Sequence, residues 1–352
     1  MFKNSQSHQI PKKILAIQFK YLGDAVFITP ALDILHQHYP NAEIHVFVAQ
    51  EVAPIFDHSP IVKKVWAMPR KRGQAQLSST LPILRALRKE RFDLSIDFVG
   101  NDRGGFYSLF VGAKQRFAAI DCKPNFFKRL AYTKTAQTAD LPVSWVDRHL
   151  GMLASLLPHI VDIRPGMMIQ SDSKLTQDAI GALKDHQVIC HLGTSQSKKE
   201  WPVQRWCEFY QLAKSAGYKM AFTSGPDERE QGLLRELKML MPDIYQIPST
   251  KDLSLFLAIL DQAKVVISGD TGPLHFAAGL GVKVIGLFGT NDSVIHAAPI
   301  YKNNEKAIGI ACTCMGEKMR FLTCQSSPSC MNSISSLQVF EMLKKQYPIS
   351  YP

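Results

Sequence analysis

The sequence predicts an α/β protein built from two doubly wound domains, each with a parallel sheet. Apolar strand-like segments alternate with helical patterns in two successive sets. The strands are continuous apolar runs, which is typical of parallel sheets covered on both faces. A chain of 352 residues is also longer than one ordinary hydrophobic core requires. Two prolines and a glycine in "PHIVDIRPG", residues 158–166, separate the two sets, so we place the linker there.

The first set contains the strands "KILAIQF", "AEIHVFVA", "KKVWAMP" and "FDLSIDFV", with helical patterns notably over residues 31–38 and 78–90. The second contains "QVICHLG", "YKMAFTSG", "IYQIPS", "KVVISGD" and "VKVIGLFG", with helices over 204–216, 227–241, 252–260 and 273–280. We therefore predict domains at 1–163 and 164–352, with the final helix a candidate to pack back on the first. Ligands of such domains bind at the carboxyl ends of strands, facing a cleft.

Composition argues against a membrane-spanning or secreted protein. No run of about 18 uncharged apolar residues occurs. The first dozen residues are polar and lack the apolar core of a signal peptide. An odd number of cysteines, seven, fits a reducing compartment better than a disulfide framework. We expect a cytoplasmic protein.

The positive charge is concentrated in the first domain. Residues 1–165 carry 22 Lys/Arg against 13 Asp/Glu, whereas residues 166–352 carry 19 against 17. Such a surplus attracts a nucleic acid, an anionic membrane surface or a phosphorylated lipid. The alternative is a basic surface that only favours solubility.

One candidate phosphate site lies in "VVISGDTGPLHFAAGLG". An apolar strand ends at residues 269–272, and Pro273 then suits the start of a helix. Unpaired N–H groups and partial positive charge at a helix N-terminus bind pyrophosphate. The alternatives are that Asp270 or Thr271 is an ordinary N-cap and that His275 only packs on the helix.

A second candidate lies in "CHLGTSQSKKEWPVQRW", residues 190–206. Hydroxylic and small residues (Gly193, Thr194 and Ser195) follow an apolar strand, and Lys198 and Lys199 come just before a Trp-Pro that starts the next helix. Hydroxyl and ammonium groups at a strand end suit phosphate oxygens. A solvated loop with two surface lysines is the alternative. Two such loops in one domain favour a diphosphate ligand.

The N-terminal segment "FKYLGDAVFITPAL", residues 19–32, places Lys20 and Asp24 where a buried strand turns into a helix. It contains neither GxGxxG nor GxxxxGK[ST], so the dinucleotide and P-loop interpretations fail on spacing. A cation and a carboxylate at this position need another explanation.

Three segments resemble the signature regions of glycosyltransferase family 9, the bacterial heptosyltransferases that build the inner core of lipopolysaccharide from ADP-heptose. They are "YLGDAVFITPAL", "HLGTSQSKKEWP" and "ISGDTGPLHFAAGLGVKVIGLFG", in the family's order and spacing. Lys20-Tyr21 before Leu22-Gly23-Asp24 is more similar to the third inner-core heptosyltransferase branch. The resemblance implies a GT-B fold of two Rossmann-like domains, the first for the acceptor and the second for the nucleotide sugar. It also implies inverting transfer that requires no metal or other cofactor.

The resemblance assigns roles to two residues. Asp24 matches the family's acidic residue proposed to deprotonate the acceptor hydroxyl, and inversion needs such a base within about 3 Å of the attacking oxygen. Lys199 matches the lysine that contacts the diphosphate, where a cation stabilises the departing ADP. Candidate donor-binding residues are Thr194, Ser195, Lys198, Asp227, Glu228, Gly269, Asp270, Thr271, Gly272 and His275. Candidate acceptor-binding residues are Lys20, Tyr21 and Gly23.

Two regions depart from expected patterns. "LFGTN" stands where the family often has LFGPT, and "DSVIHAAP" replaces its usual Trp-Pro-rich segment, so donor contacts there are not assumed. Cys312, Cys314, Cys324 and Cys330 have C-x-C-x9-C-x5-C spacing, which lacks the paired C-x2-C of structural zinc sites. We expect free thiols or a disulfide rather than a bound metal.

Other functions stay open at this point. One alternative is a different GT-B enzyme, either another glycosyltransferase or a sugar-nucleotide epimerase. A non-catalytic nucleic-acid or surface-binding protein is suggested by charge alone, without an RRM, KH or helix-turn-helix signature. For a heptosyltransferase we expect a monomer on the inner face of the bacterial inner membrane. Its partners would be the nucleotide sugar, the lipopolysaccharide core and the anionic membrane, with no nucleic acid.

The lopsided charge suggests where the first domain would meet the membrane. Basic stretches at residues 69–73 and 123–130 are the candidates, with Phe126 and Phe127 able to insert shallowly. The alternative is that these stretches are ordinary solvated loops and that both phenylalanines belong to the core.

Overall fold

The protein divides into two compact units, Met1–Leu141 with Val146–Gly166 and Pro142–Trp145 with Met167–Pro352. The computed structural model describes residues 10–69, 77–120, 125–137, 144–157, 168–289, 305–308 and 329–349. The predicted linker at 158–166 lies outside these residues. The assignment of acceptor and donor to the two units stays a prediction.

The first unit contains a six-stranded parallel sheet in the order β3-β2-β1-β4-β5-β6. Its strands are β1 Lys13–Gln18, β2 Glu43–Ala49, β3 Val62–Met68, β4 Leu94–Asp97, β5 Gln115–Ile120 and β6 Lys134–Gln137. The helices are α1 Leu22–Val26, α2 Thr29–His38, α3 Leu77–Lys89, α4 Asp102–Val111, α5 Phe126–Ala131 and α6 Trp145–Leu156. The order of strands in the sheet reverses between β1 and β4, which makes that junction the topological switch point.

The second unit repeats this arrangement. Its parallel sheet has the order β12-β11-β10-β7-β8-β9, so the reversal lies between β7 and β10. The strands are β7 Val188–His191, β8 Met220–Thr223, β9 Tyr245–Gln246, β10 Val265–Gly269, β11 Lys283–Phe288 and β12 Glu305–Ile308. The helices are α7 Thr176–Leu183, α8 Val203–Ser215, α9 Glu228–Leu240, α10 Leu253–Asp261, α11 Gly272–Gly279 and α12 Ser336–Gln346.

Burial of the central strands explains why these sequences form parallel sheets. Every residue of β7, β8 and β10 is buried, so both faces of the sheet are covered. The same holds for β4 in the first unit and for all of β1 except Lys13. Continuous apolar runs are stable in these positions because neither face meets water.

The final helix, α12, packs in the second unit. Val339, Phe340 and Leu343 are buried in the same hydrophobic cluster as residues of β7, β8 and β10. Ser336 Oγ donates to the carbonyl oxygen of Arg205 at 2.9 Å, which ties the start of α12 to α8. The helix is therefore part of the core of the second unit, and the expectation that it also packs back on the first domain stays a prediction.

The sequence also led to expectations about membrane-spanning helices, metal sites and the cysteine cluster. Within the described ranges, no helix is both long and apolar enough to cross a membrane. Among those same residues, no group of three or more His, Cys, Asp or Glu side chains is arranged to hold a metal ion. Cys330 is buried, whereas Cys312, Cys314 and Cys324 lie outside the described residues.

Candidate functional site

The two predicted phosphate loops lie together at the switch point of the second sheet. β7 and β10 are paired neighbours, with His191 opposite Ser268, so the loops that follow them leave the same edge. A Cβ atom at Gly269 would lie 2.9 Å from Thr194 Cγ2 and 3.0 Å from the carbonyl oxygen of Lys199. Only glycine at this position allows the loop after β7 to pass so close to the end of β10.

A buried ion pair joins the loops. Lys199 Nζ donates a hydrogen bond to Asp270 Oδ2, and the two side chains are 12% and 6% exposed. His275 Nε2, from the first turns of α11, lies 3.3 Å from Asp270 Oδ1. Lys199 is therefore not the solvated surface lysine of the alternative interpretation.

The helix start at α11 differs from an ordinary side-chain cap. Thr271 is the N-cap residue, and its side chain makes no capping hydrogen bond. The Asp270 carboxylate contacts Lys199 and His275. Gly272 and Pro273 then form the first two positions of the helix. The N-cap interpretation of these side chains is therefore not supported, and the helix start combines partial positive charge with a nearby ammonium group.

The hydroxyl residues of the loop after β7 have separate environments. Thr194 is buried, and its Oγ1 donates to the carbonyl oxygen of Gln196 at 2.7 Å. Ser195 is exposed, and Lys198 is half-buried. Thr194 thus shapes the loop from inside, while Ser195 faces solvent.

The two predicted acidic residues after β8, Asp227 and Glu228, have different contacts in the structure. Asp227 caps α9, because its Oδ1 accepts from the amide of Arg229 at 3.0 Å. Glu228 is 86% exposed and is ion-paired with Arg235. These contacts account for both side chains without a ligand, and the structure gives no further support to their predicted role.

Glu230, which sequence reasoning did not select, lies against the loops that follow β7 and β8. A Cβ at Gly193 would be 2.3 Å from Glu230 Oε2, and one at Gly225 would be 1.9 Å from the same atom. Burial raises the pKa of the Glu230 carboxyl, against the opposing effects of Arg229 and the Gly225 amide. The signal in the sequence was the i+3 spacing from the N-cap Asp227, which turns this side chain back toward the strand ends.

Arg229 was also missed. Its Nη2 donates to the carbonyl oxygen of Thr194 at 2.6 Å, and its Nη1 is paired with the carboxylate of Glu200. One side chain of α9 therefore contacts the loop after β7 at two separate residues.

The N-terminal motif lies at the switch point of the first sheet. Asp24 is in the first turn of α1, directly after β1, and its Oδ2 accepts from the amide of Tyr21 at 3.3 Å. Gln18 Nε2 donates to the carbonyl oxygen of Asp24 at 3.1 Å. Asp24, Lys20 and Gly23 are half-buried, whereas Tyr21 is 80% exposed.

Two buried polar side chains, Asp97 and His149, form hydrogen bonds near this edge of the first sheet. At the end of β4, Asp97 accepts from Tyr132 Oη at 2.5 Å and from the Val99 amide at 2.9 Å. Burial raises the pKa of the Asp97 carboxyl. His149 Nδ1 lies 3.1 Å from the carbonyl oxygen of Phe27, and burial lowers the pKa of this imidazole to about 4. His149 is therefore neutral at pH 7, and its ring contacts the backbone just after α1.

For the diphosphate site that the two loops predict, we expect Gly269→Ala to weaken binding of ADP, used as the probe, more than it weakens the fold. The added Cβ would displace the backbone at Lys199, so ADP affinity should fall about tenfold by titration calorimetry. Gly181→Ala is the matched control, since nothing lies within 4 Å of its Cβ and alanine favours the interior of α7. Equal ADP affinity in the two variants would contradict the predicted crowding.

Comparison with known proteins identifies a family and several relatives that are similar in sequence. The family model of glycosyltransferase family 9 (heptosyltransferase) matches residues 81–324. Lipopolysaccharide heptosyltransferase 3 of Escherichia coli (strain K12) is 23% identical over 284 residues, covering 78% of this chain and 82% of that protein. Lipopolysaccharide heptosyltransferase 1 of Pseudomonas aeruginosa is 25% identical over 293 residues, covering 79% and 78%.

Solved structures show the same architecture. The glycosyl transferase family 9 protein from Veillonella parvula superposes with a TM-score of 0.78 at 18% identity, covering 95% of this chain and 97% of that one. E. coli heptosyltransferase WaaC with ADP gives 0.74 at 18% identity, covering 95% and 100%. The predicted GT-B fold of two Rossmann-like sheets is confirmed.

Proposed function

The chain belongs to glycosyltransferase family 9, the heptosyltransferases, and we propose that it transfers heptose from ADP-heptose to the inner core of lipopolysaccharide. Family membership makes it a glycosyltransferase and removes the support for a non-catalytic nucleic-acid-binding protein. The named relatives act on lipopolysaccharide or lipooligosaccharide, which supports the acceptor class.

The Lys199–Asp270 pair at the start of α11 carries the donor proposal. A buried ammonium group and a helix N-terminus at one sheet edge suit the two phosphates of a nucleotide diphosphate. The solved E. coli heptosyltransferase WaaC with ADP has the same fold, which supports an adenine nucleotide as donor. Lys199 would neutralise the charge that grows on ADP as the glycosidic bond breaks.

Asp24 is the proposed general base. Its carboxylate would take the proton of the acceptor hydroxyl while that oxygen attacks the anomeric carbon. The bond from this carbon to the ADP oxygen breaks on the opposite face, so the configuration inverts. The half-buried position at the end of β1 supports this role, because ligands of such sheets bind beyond the carboxyl ends at the switch point.

We propose that no metal takes part in this reaction. Lys199 and the first-turn amides of α11 would supply the positive charge that the leaving diphosphate needs. Lys20, Tyr21 and Gly23 are retained as candidate acceptor contacts because they flank Asp24.

The test is product analysis by mass. The protein is incubated with ADP-heptose and lipopolysaccharides of graded core length, in the presence and absence of EDTA. We expect one truncated acceptor to gain one heptose, with release of ADP and equal rates in both buffers. Transfer only from a different nucleotide sugar, or an epimerised donor without acceptor, would favour the other GT-B enzymes. Loss of activity in EDTA, restored by a divalent cation, would contradict the metal-free reaction.

We further propose that α5 docks the first unit on an anionic membrane. Phe126 is 85% exposed, and Leu130, one turn later, is 54% exposed. Arg129 is exposed and Lys128 is half-buried in the same short helix. Phe127 is directed elsewhere: a Cβ at Gly105 of α4 would lie 3.0 Å from its ring. Phe126 is thus the insertion candidate, while residues 70–73 lie outside the described ranges.

Liposome flotation tests this surface. Replacing Phe126, Lys128 and Arg129 with Ser, Gln and Gln should weaken binding to anionic vesicles at low salt at least tenfold, since each basic residue near the surface contributes about 1 kcal/mol. The control replaces Lys344 and Lys345 of α12 with Gln. Unchanged flotation, or binding that persists undiminished in high salt where screening shortens to about 3 Å, would show that α5 does not dock the protein.

A further inference from the structure

We propose that Arg229 is a positioning residue, which clamps the segment that carries Lys199 and so holds this ammonium group ready for the diphosphate. The proposal rests on the donor site proposed above. It concerns a residue of α9 that need not touch the substrate.

The clamp contacts both ends of the segment 194–200. Arg229 Nη2 donates to the carbonyl oxygen of Thr194 at 2.6 Å, and Nη1 is paired with the carboxylate of Glu200. Within the segment, the Lys199 amide donates to Gln196 O at 2.9 Å and the Glu200 amide to Ser197 O at 3.1 Å. The guanidinium therefore connects the two ends of the segment 194–200, which contains a short helical turn.

An arginine suits this task better than a lysine. A planar guanidinium donates in two fixed directions, so one side chain can hold a carbonyl and a carboxylate together. Glu200 is only 11% exposed, and loss of its cation would leave a largely buried carboxylate unpaired. The Arg229 side chain is 38% exposed, so the segment is held from its solvent side.

The effect of the clamp reaches Lys199 through the backbone. Glu200 directly follows Lys199 in the chain, and Trp201 after it is buried, with Nε1 donating to Ile334 O at 3.0 Å. On the opposite side, a Cβ added at Gly269 would lie only 3.0 Å from the Lys199 carbonyl oxygen, so the two backbones are in close contact. Release of Arg229 frees the segment toward solvent, which moves Lys199 Nζ away from Asp270.

The experiment is a double-mutant cycle read by ADP titration calorimetry on the full chain. Arg229→Met should weaken ADP binding about tenfold, and Lys199→Ala by at least as much. Because Arg229 acts through Lys199, the double variant should bind within about twofold of Lys199→Ala alone. Arg235→Met is the matched control, since this arginine of the same helix pairs only with the exposed Glu228 in the described contacts.

Kinetics separates positioning from a general loss of structure. Arg229→Met should raise the donor KM and lower kcat together, at a temperature well below the melting temperature of both this variant and Arg235→Met. Glu200→Gln, which keeps the Thr194 contact, should show a smaller change in the same direction. Additive losses in the double variant, or ADP binding by Arg229→Met equal to wild type, would overturn the clamp. Failure of the wild-type protein to bind ADP would instead overturn the proposed function.

Discussion

Asp24→Ala is expected to lower kcat about 10²-fold or more, with ADP affinity kept within about twofold of wild type. The proposed base acts on the acceptor hydroxyl in the transition state, so its loss removes an interaction that the bound donor does not need. The carboxylate accepts a hydrogen bond from the Tyr21 amide, and α1 should survive the change because this contact is exposed to solvent. Stopped reactions at saturating substrates, with calorimetry for ADP, measure the two quantities separately.

Asp33→Ala is the matched control for that experiment. Asp33 is a half-buried aspartate in the second turn of the next helix, α2. Its replacement should leave kcat within the range of ordinary surface changes. An Asp24→Ala protein with near-normal turnover would remove Asp24 from the role of base.

Lys199→Ala is expected to weaken ADP binding about tenfold or more and to slow transfer by a further factor of about 10. The ammonium group would act on the ground-state diphosphate and more strongly on the charge that grows during bond breaking. Its loss also leaves the Asp270 carboxylate, 6% exposed, without this cation beside the place of the phosphates. ADP calorimetry and single-turnover transfer give the binding and chemical losses.

Lys198→Ala provides the adjacent control. Lys198 belongs to the same short helical turn, and the ion pair with Asp270 belongs to Lys199. The Lys198 variant should therefore change both measurements much less. Equal effects of the two substitutions would mean that the diphosphate contacts a different residue of this loop.

The sequence predicts the sheets because their central strands are uniformly apolar. The segments "KILAIQF" and "KVVISGD" were identified from that property, and they form β1 and β10. β5, with the polar start Gln115-Arg116, and the short β6 lack such a run and were not identified. α4 was also missed, since Gly104 and Gly105 lie in its first turns and lower its helical signal.

The site was predictable to the extent that its residues follow strands directly. The loops after β7 and β10 were expected to serve one ligand, and the structure brings Lys199, Asp270 and His275 together. Glu230 and Arg229 could not be found in this way, because they approach from α9 and their contacts depend on how that helix packs. The spacing of residues along one helix does not predict which loop the side chains of its first turn will contact.

The Lys199–Asp270 pair has a consequence for turnover. A largely buried ammonium group is costly without an anion, and Asp270 serves as that anion for Lys199. In the proposed reaction, the arriving donor then exchanges one negative partner of Lys199 for another instead of meeting a bare charge. In that proposed reaction, Asp270 would pair with Lys199 again as ADP leaves, which would lower the free-energy cost of release. Such a counterion within the protein would lower the affinity for the donor and would speed the release of the product.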